Sequence, residues 1–96
     1  MGEKKTYSLK YDSHFDRDLD RLDRFWQREV LLAVENKLSV QPELYGVPLR
    51  RTLKGFRKLR IGDYRVIYQI EKKTIKIVIV GHRSEVYKEV LKRLGV

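Results

Sequence analysis

From Phe56 to Val80 the chain reads as three β-rich runs joined by two turns of two residues each, and this spacing constrains the fold more than any other feature. The first run is Phe56 to Ile61, with Gly62-Asp63 as its turn. Tyr64 to Glu71 is the second run, Lys72-Lys73 the next turn, and Thr74 to Val80 the third run. Connections this short join antiparallel neighbours, because a parallel pair needs a long crossover. The runs also alternate. Tyr64, Val66, Tyr68 and Ile70 share one side of the second run, and Arg65, Ile67 and Gln69 share the other. On the first run Leu59 and Ile61 share a side, and Lys58 and Arg60 share the opposite one. The apolar sets must face a core. Lys58, Arg60 and Arg65 then project together from the other face of the sheet, which the pattern leaves open.

Upstream the period changes. Met1 to Lys5 is polar and reads as a frayed end. Tyr7, Leu9 and Tyr11 alternate with polar residues, the mark of a half-buried strand. Phe15, Leu19 and Leu22 then fall on one helical face, with Ser13 placed to cap it and Asp16 in the first turn. Trp26, Val30, Ala33, Val34 and Leu38 make a second helical stripe. The step from Leu22 to Trp26 holds no Gly or Pro, and is compatible with a tight helical hairpin or one bent helix. Residues 41–51 contain both prolines and Gly46 and read as a loop. Residues 84–94 form a last short helix, capped by Ser84, with Val86, Val90 and Leu94 on one face. The order β-α-α-β-β-β-α predicts an α+β fold: a small antiparallel sheet, a helical hairpin packed on one face, and a short C-terminal helix. The 96 residues allow a single domain, 1–96.

Composition narrows the function. There is no cysteine, so disulfides, thiolate metal sites and thiol nucleophiles are excluded. No stretch approaches the roughly 18 apolar residues of a membrane span, and no signal-peptide core appears near the start. A cytoplasmic protein that does not engage membranes is expected. Charge is divided unevenly. Residues 1–49 hold eight Lys/Arg against nine Asp/Glu, a net of −1, whereas residues 50–96 hold fourteen against four, a net of +10. A half-chain this basic attracts polyanions, of which nucleic acid is the commonest and an acidic protein segment the main competitor.

Within reach of the basic sheet, Gly81-His82-Arg83-Ser84-Glu85-Val86-Tyr87 brings an imidazole, a guanidinium and a phenol together. RNA cleavage without metal needs few parts. A base takes the 2′-OH proton, cations stabilise the charge growing on the phosphorane, and an acid protonates the leaving 5′-oxygen. An aromatic ring can stack on a base and hold the attacking and leaving oxygens in line. A lysine crowded by like charges gives up its proton more readily and can serve as the base. Bland readings stand beside these. His82 can be an ordinary strand-end histidine, Tyr87 a core or rim aromatic, and Arg83 a ligand of backbone carbonyls. His14 reads as structural and Trp26 as core. Asp16, Asp18, Asp20 and Asp23 read as a solvated helix face. Without cysteine or paired histidines they do not make a metal site.

The tract LKGFRKLRIGDYRVIYQI (residues 53–70), followed by VGHRSEVYKEVLKRL (80–94), resembles the RelE/ParE toxin superfamily, and within it the RelE branch. The resemblance extends over nearly the whole chain. It implies the toxin of a type II toxin–antitoxin system: an endoribonuclease, free of cofactor and metal, that enters the ribosomal A site and cuts mRNA to a 2′,3′-cyclic phosphate and a 5′-OH. It implies two partners, the ribosome with its mRNA and a cognate antitoxin in a hetero-oligomer. The antitoxin would cover the basic groove or displace the C-terminal helix. The resemblance assigns Lys58 as general base, Arg65 to the scissile phosphate, Arg83 as acid or phosphate ligand, and Tyr87 to stacking on the cleaved nucleotide. Some RelE-like branches carry a histidine near Arg83, which would make His82 the acid instead. Arg60, Arg57, Lys54 and Arg51 are expected to bind RNA. Phe56 stands where relatives carry a further lysine, and the segment after Gly81 is shorter than theirs. The ParE alternative shares the fold and poisons DNA gyrase by binding, without cleavage.

Overall fold

The computed structural model describes residues 7–96. The polar stretch Met1 to Lys5, read above as a frayed end, lies outside the described residues. The five strands are β1 (Ser8–Tyr11), β2 (Val47–Pro48), β3 (Arg57–Ile61), β4 (Tyr64–Glu71) and β5 (Thr74–His82), and they form one sheet in the order β1-β5-β4-β3-β2. The predicted meander β3-β4-β5 is antiparallel throughout. The sheet is not antiparallel everywhere, because β1 pairs with β5 in parallel, Leu9 opposite Ile75 and Tyr11 opposite Ile77. The chain between β1 and β5 is long enough for that crossover.

The helical hairpin is two helices, α1 (Phe15–Asp20) and α2 (Arg24–Ala33), the second continuing into a π-helical turn Val34–Leu38. The break between them is made by Asp23. Its carboxylate accepts from the Trp26 N–H at 3.1 Å, and the Gln27 side chain donates to the Leu22 carbonyl at 2.8 Å. Asp23 is therefore a cap rather than part of a solvated helix face. At the start of α1 the capping position falls on His14, not Ser13. The Asp12 carboxylate receives the His14 N–H at 2.9 Å and so fixes the turn one residue later than expected. The loop 41–51 also holds more order than its prolines suggest. It contains a short helix α3 (Pro42–Tyr45) and strand β2, and a 3-10 turn Arg51–Leu53 follows. The Tyr68 hydroxyl, donating to the Pro42 carbonyl at 2.6 Å, ties this segment to the sheet.

Burial explains the layers. Phe15, Leu19, Leu22, Val30, Val34 and Leu38 from the helices pack on Leu59, Ile61, Val66, Tyr68, Ile75, Ile77 and Val80 from the sheet. The second sheet face was expected to be open, and part of it is not. Helix α4 (Val86–Arg93) lays Val86 and Val90 on Ile67, Val78 and Ile79, with Leu53 joining them. A β-bulge makes this possible. Ile67 faces Ile79 while Tyr68 faces Ile77, so Val78 is an extra residue and joins Ile79 on the α4 side. Two adjacent strand residues on one side of the sheet give α4 an apolar seat that strict alternation would not predict. The α4 cap is Glu85, not Ser84. Ser84 turns instead to His82, donating its N–H to Nδ1 at 3.1 Å with its Oγ 2.8 Å from the same atom.

Across the molecule, α4 is clasped to α1. The Arg93 guanidinium meets both oxygens of Asp18 at 2.8 and 2.9 Å and donates to the Val78 carbonyl at 2.9 Å. Asp18 is only 3% exposed, so its assignment to a solvated face is corrected: it is the buried half of an ion pair. The Asp18 hydrogen bonds hold the Arg93 pKa above its ordinary value, against partial burial, and the charges of Asp18, Asp12 and Glu89 add to the effect. No helix among the described residues is long and apolar enough to cross a membrane.

Two outcomes follow from the clasp. Arg93→Ala strands a buried carboxylate and is expected to lower stability by about 3–5 kcal/mol. The urea midpoint measures it, and a loss under about 1 kcal/mol, that of a surface pair, contradicts the account. The second concerns acid. Partial burial pushes the Asp12 carboxyl up. Hydrogen bonds from the His14 N–H and ring, with the Arg93 and His14 charges, outweigh it and hold the group below its ordinary 3.8. A depressed carboxyl stabilises the fold above its unfolded pKa, and that contribution is lost as pH falls through the lower folded value. Thermal unfolding from neutral pH down to about pH 3 should therefore show a shallower acid limb in Asp12→Asn than in the parent, and parallel curves would contradict this.

Candidate active site

The β3–β4 hairpin builds the site by alternation. Lys58, Arg60 and Arg65 lie on the face opposite the helical hairpin, with the buried Leu59, Ile61 and Val66 between them on the other side. Arg60 stands directly opposite Arg65 across the ladder, and Lys58 opposite Ile67. Like charges facing each other across a sheet repel. Two arginines paired in the ladder make that end of the face attractive to an anion.

Each remaining group is held differently. The Arg65 guanidinium donates to the carbonyls of Gly62 and Tyr64, both at 2.9 Å, so its direction is set by the turn beside it. Arg83 leaves β5 at the same end of the sheet. Its N–H donates to the Asp63 carbonyl at 2.8 Å and its Nε lies 3.9 Å from the Asp63 carboxylate. Helix α4 brings Tyr87 over the hairpin, where the Lys58 Nζ lies 5.6 Å from the ring centre. Gly81 faces Arg65 across the ladder and lies against Val86 at the start of α4. Lys58, Arg60, Arg65 and Tyr87 thus share one face, with Arg83 at its end.

His82 does not join them. It pairs with Tyr64 in the ladder, their rings edge to face at 5.8 Å, and it lines a cavity of about 170 Å³ with Asp18, Arg21, Leu22 and Glu85 on the α1 side. Its Nδ1 accepts the Ser84 backbone N–H. Arg57 is likewise on the helix side. It donates to the Glu43 and Gly46 carbonyls at 2.7 and 2.8 Å and fastens the α3 segment, apart from the face that bears Lys58. Alternation predicts that result, since Arg57 has the parity of Leu59. Arg51 and Lys54 are exposed on the 3-10 turn that Leu53 anchors into the α4-side core. Among the described residues, no three His, Asp or Glu side chains come close enough to hold a metal ion. Sequence reasoning missed Asp63 as the partner of Arg83. The only signal for it was its place in a Gly-Asp turn.

Residues 9–87 match the model of the ParE toxin family of type II toxin–antitoxin systems. The chain belongs to that family. Within the wider RelE/ParE superfamily the toxin is 34% identical over 84 residues to Toxin RelG of Mycobacterium tuberculosis, covering 85% of this chain and 97% of RelG. It is 31% identical to Toxin RelE of the same organism, covering 92% of this chain and 93% of that one. Among solved structures it is similar to the toxin–antitoxin complex RelBE2 of M. tuberculosis, with a TM-score of 0.76 and 34% identity over 81% of this chain and 99% of that one. A chromosomal ParDE system of Pseudomonas aeruginosa, at 17% identity over 82% of this chain and 98% of that one, shares the fold with a TM-score of 0.63.

The paired arginines of this toxin predict an anion effect. Sulfate titrated at constant ionic strength should raise the melting temperature of the parent and leave the Arg60→Gln/Arg65→Gln variant unmoved. Equal shifts in both proteins would contradict an anion site on this face.

Proposed function

We propose that this toxin is a ribosome-dependent mRNA endoribonuclease, cutting in the A site by metal-free attack of a 2′-OH. The observation that carries the proposal is the meeting of Lys58 and Tyr87, 5.6 Å from amine to ring centre, on the sheet face that also bears Arg60 and Arg65. Tyr87 stacks on a base and fixes the nucleotide. Lys58, as general base, takes the 2′-OH proton, and the oxygen attacks the adjacent phosphorus. Arg65, with Arg60 beside it, stabilises the charge that grows on the non-bridging oxygens. The bond from phosphorus to the 5′-oxygen breaks, leaving a 2′,3′-cyclic phosphate, and the departing oxygen takes a proton, from Arg83 or from water beside it, to become a 5′-OH. Arg83 is the protein group at that end of the face, and we assign it to the leaving oxygen. His82, on the far side of the sheet, takes no part.

The reading is supported by the toxins RelG and RelE, both above 30% identity, and by the resemblance of the tract 53–70 to the RelE branch. An antitoxin is the second partner, as in the RelBE2 complex of M. tuberculosis. The matching family model bears the ParE name, which favours a second reading: binding of DNA gyrase without cleavage. In that reading Arg65 is a contact and not a catalyst.

Arg65→Ala separates the two. It should slow mRNA cleavage on translating ribosomes by about 2.7–4 kcal/mol in the chemical step while changing ribosome affinity far less, because the contact strengthens in the transition state. Equal losses in rate and affinity contradict the role. Gyrase inhibition with translated message left uncut supports the second reading.

A further inference from the structure

The Gly62–Asp63 turn holds both arginines at the end of the candidate site. The Gly62 and Tyr64 carbonyls receive Arg65, and the Asp63 carbonyl receives the Arg83 N–H. The turn is itself braced from behind. Gly62 has a left-handed backbone, φ +60, and a Cβ there would lie 2.4 Å from Cη2 of Trp26. The indole therefore rests on the glycine backbone with no room for a side chain. The same indole packs on the Tyr64 ring, centre to centre 5.5 Å. The Trp26 backbone is held in turn by the Asp23 cap, whose carboxylate accepts its main-chain N–H at 3.1 Å. One side chain on the helix face thus touches both residues whose carbonyls hold Arg65 on the opposite face.

We propose that Trp26 is a positioning residue for the catalytic face: by bracing Gly62 and packing on Tyr64 it fixes the two carbonyls that aim Arg65. The rate readout rests on the endoribonuclease reading, and the structural readout does not. An indole that served only as core would matter for stability alone. An indole that aims a guanidinium sets the rate of the step that guanidinium assists, since a displacement of about 1 Å can cost about 100-fold.

The test uses purified full-length toxin on ribosomes translating a defined mRNA, with toxin in excess, so that maximal rate and half-saturation are read separately. Trp26→Leu is expected to slow the maximal rate by about 10- to 100-fold with little change in half-saturation. Trp26→Phe, which keeps a shorter ring at the site, should fall between Leu and the parent. Val34→Ala, buried in the same core about two helical turns further on, should lose stability and keep the parental rate. Gly62→Ala collides with the indole, so Trp26→Leu/Gly62→Ala should lose less than the product of the single losses. A parental rate in Trp26→Leu overturns the proposal. So does a matching slowdown in Val34→Ala, or losses that simply multiply.

The second arm is nuclear magnetic resonance of the Arg65 guanidinium, whose Nη1 makes both bonds. It should be a single restrained signal in the parent and average with solvent-exposed arginines in Trp26→Leu. An unchanged signal overturns the proposal. If the parent protein leaves translated message uncut, the endoribonuclease reading fails, and this arm alone decides whether Trp26 holds Arg65.

Discussion

The β3–β4 ladder is the constraint on which the rest depends. Its two-residue turn fixes register, and register fixes faces: Leu59, Ile61 and Val66 go to the helical core, and Lys58, Arg60 and Arg65 go to the other side. A slip of one residue would bury three cations and expose the core set. The large apolar burial that holds the domain together therefore also enforces the alignment of charges. Repulsion between Arg60 and Arg65 is small against that burial, so the fold can maintain a cationic face that would not assemble by itself.

Around this ladder the two ends of the chain play different parts. The acidic N-terminal half supplies the braces: Asp23 caps the helix that carries Trp26, and Asp18 grips Arg93 and so holds the far end of α4. The basic C-terminal half supplies the cationic face and Tyr87. An isolated helix as short as α4 is unstable in water, and its seat on Ile67, Val78 and Ile79 gives Tyr87 a fixed place over Lys58. The charge asymmetry of the sequence thus has a structural meaning beyond attraction of a polyanion. Part of it is an internal pairing between the halves.

Much of this was legible in the sequence, and the reasons differ by element. The bounds of β4 follow from strict alternation between two turn signals, and the cationic face follows from the same period. The seat of α4 was not legible, because it depends on a bulge that places Val78 and Ile79 on one side, and nothing in the local pattern marks a bulge. The parallel pairing of β1 is a long-range choice that a four-residue strand cannot announce. Asp18 looked like its neighbours Asp16 and Asp20 until Arg93, 75 residues away, was brought to it. Sequence placed His82 and Arg83 side by side. The strand's pleat separates them, since His82 pairs with Tyr64 toward the helices while Arg83 returns to the Asp63 turn.

On the proposed reading, this face breaks RNA by internal attack of a ribose hydroxyl. The most direct measurement is the chemistry of the new ends on a message translated with the purified toxin, read by mass spectrometry. A 2′,3′-cyclic phosphate is expected on one fragment and a 5′-hydroxyl on the other, produced only while ribosomes occupy the message. Fragments ending in a 3′-hydroxyl and a 5′-phosphate, or an intact message, would contradict that reading.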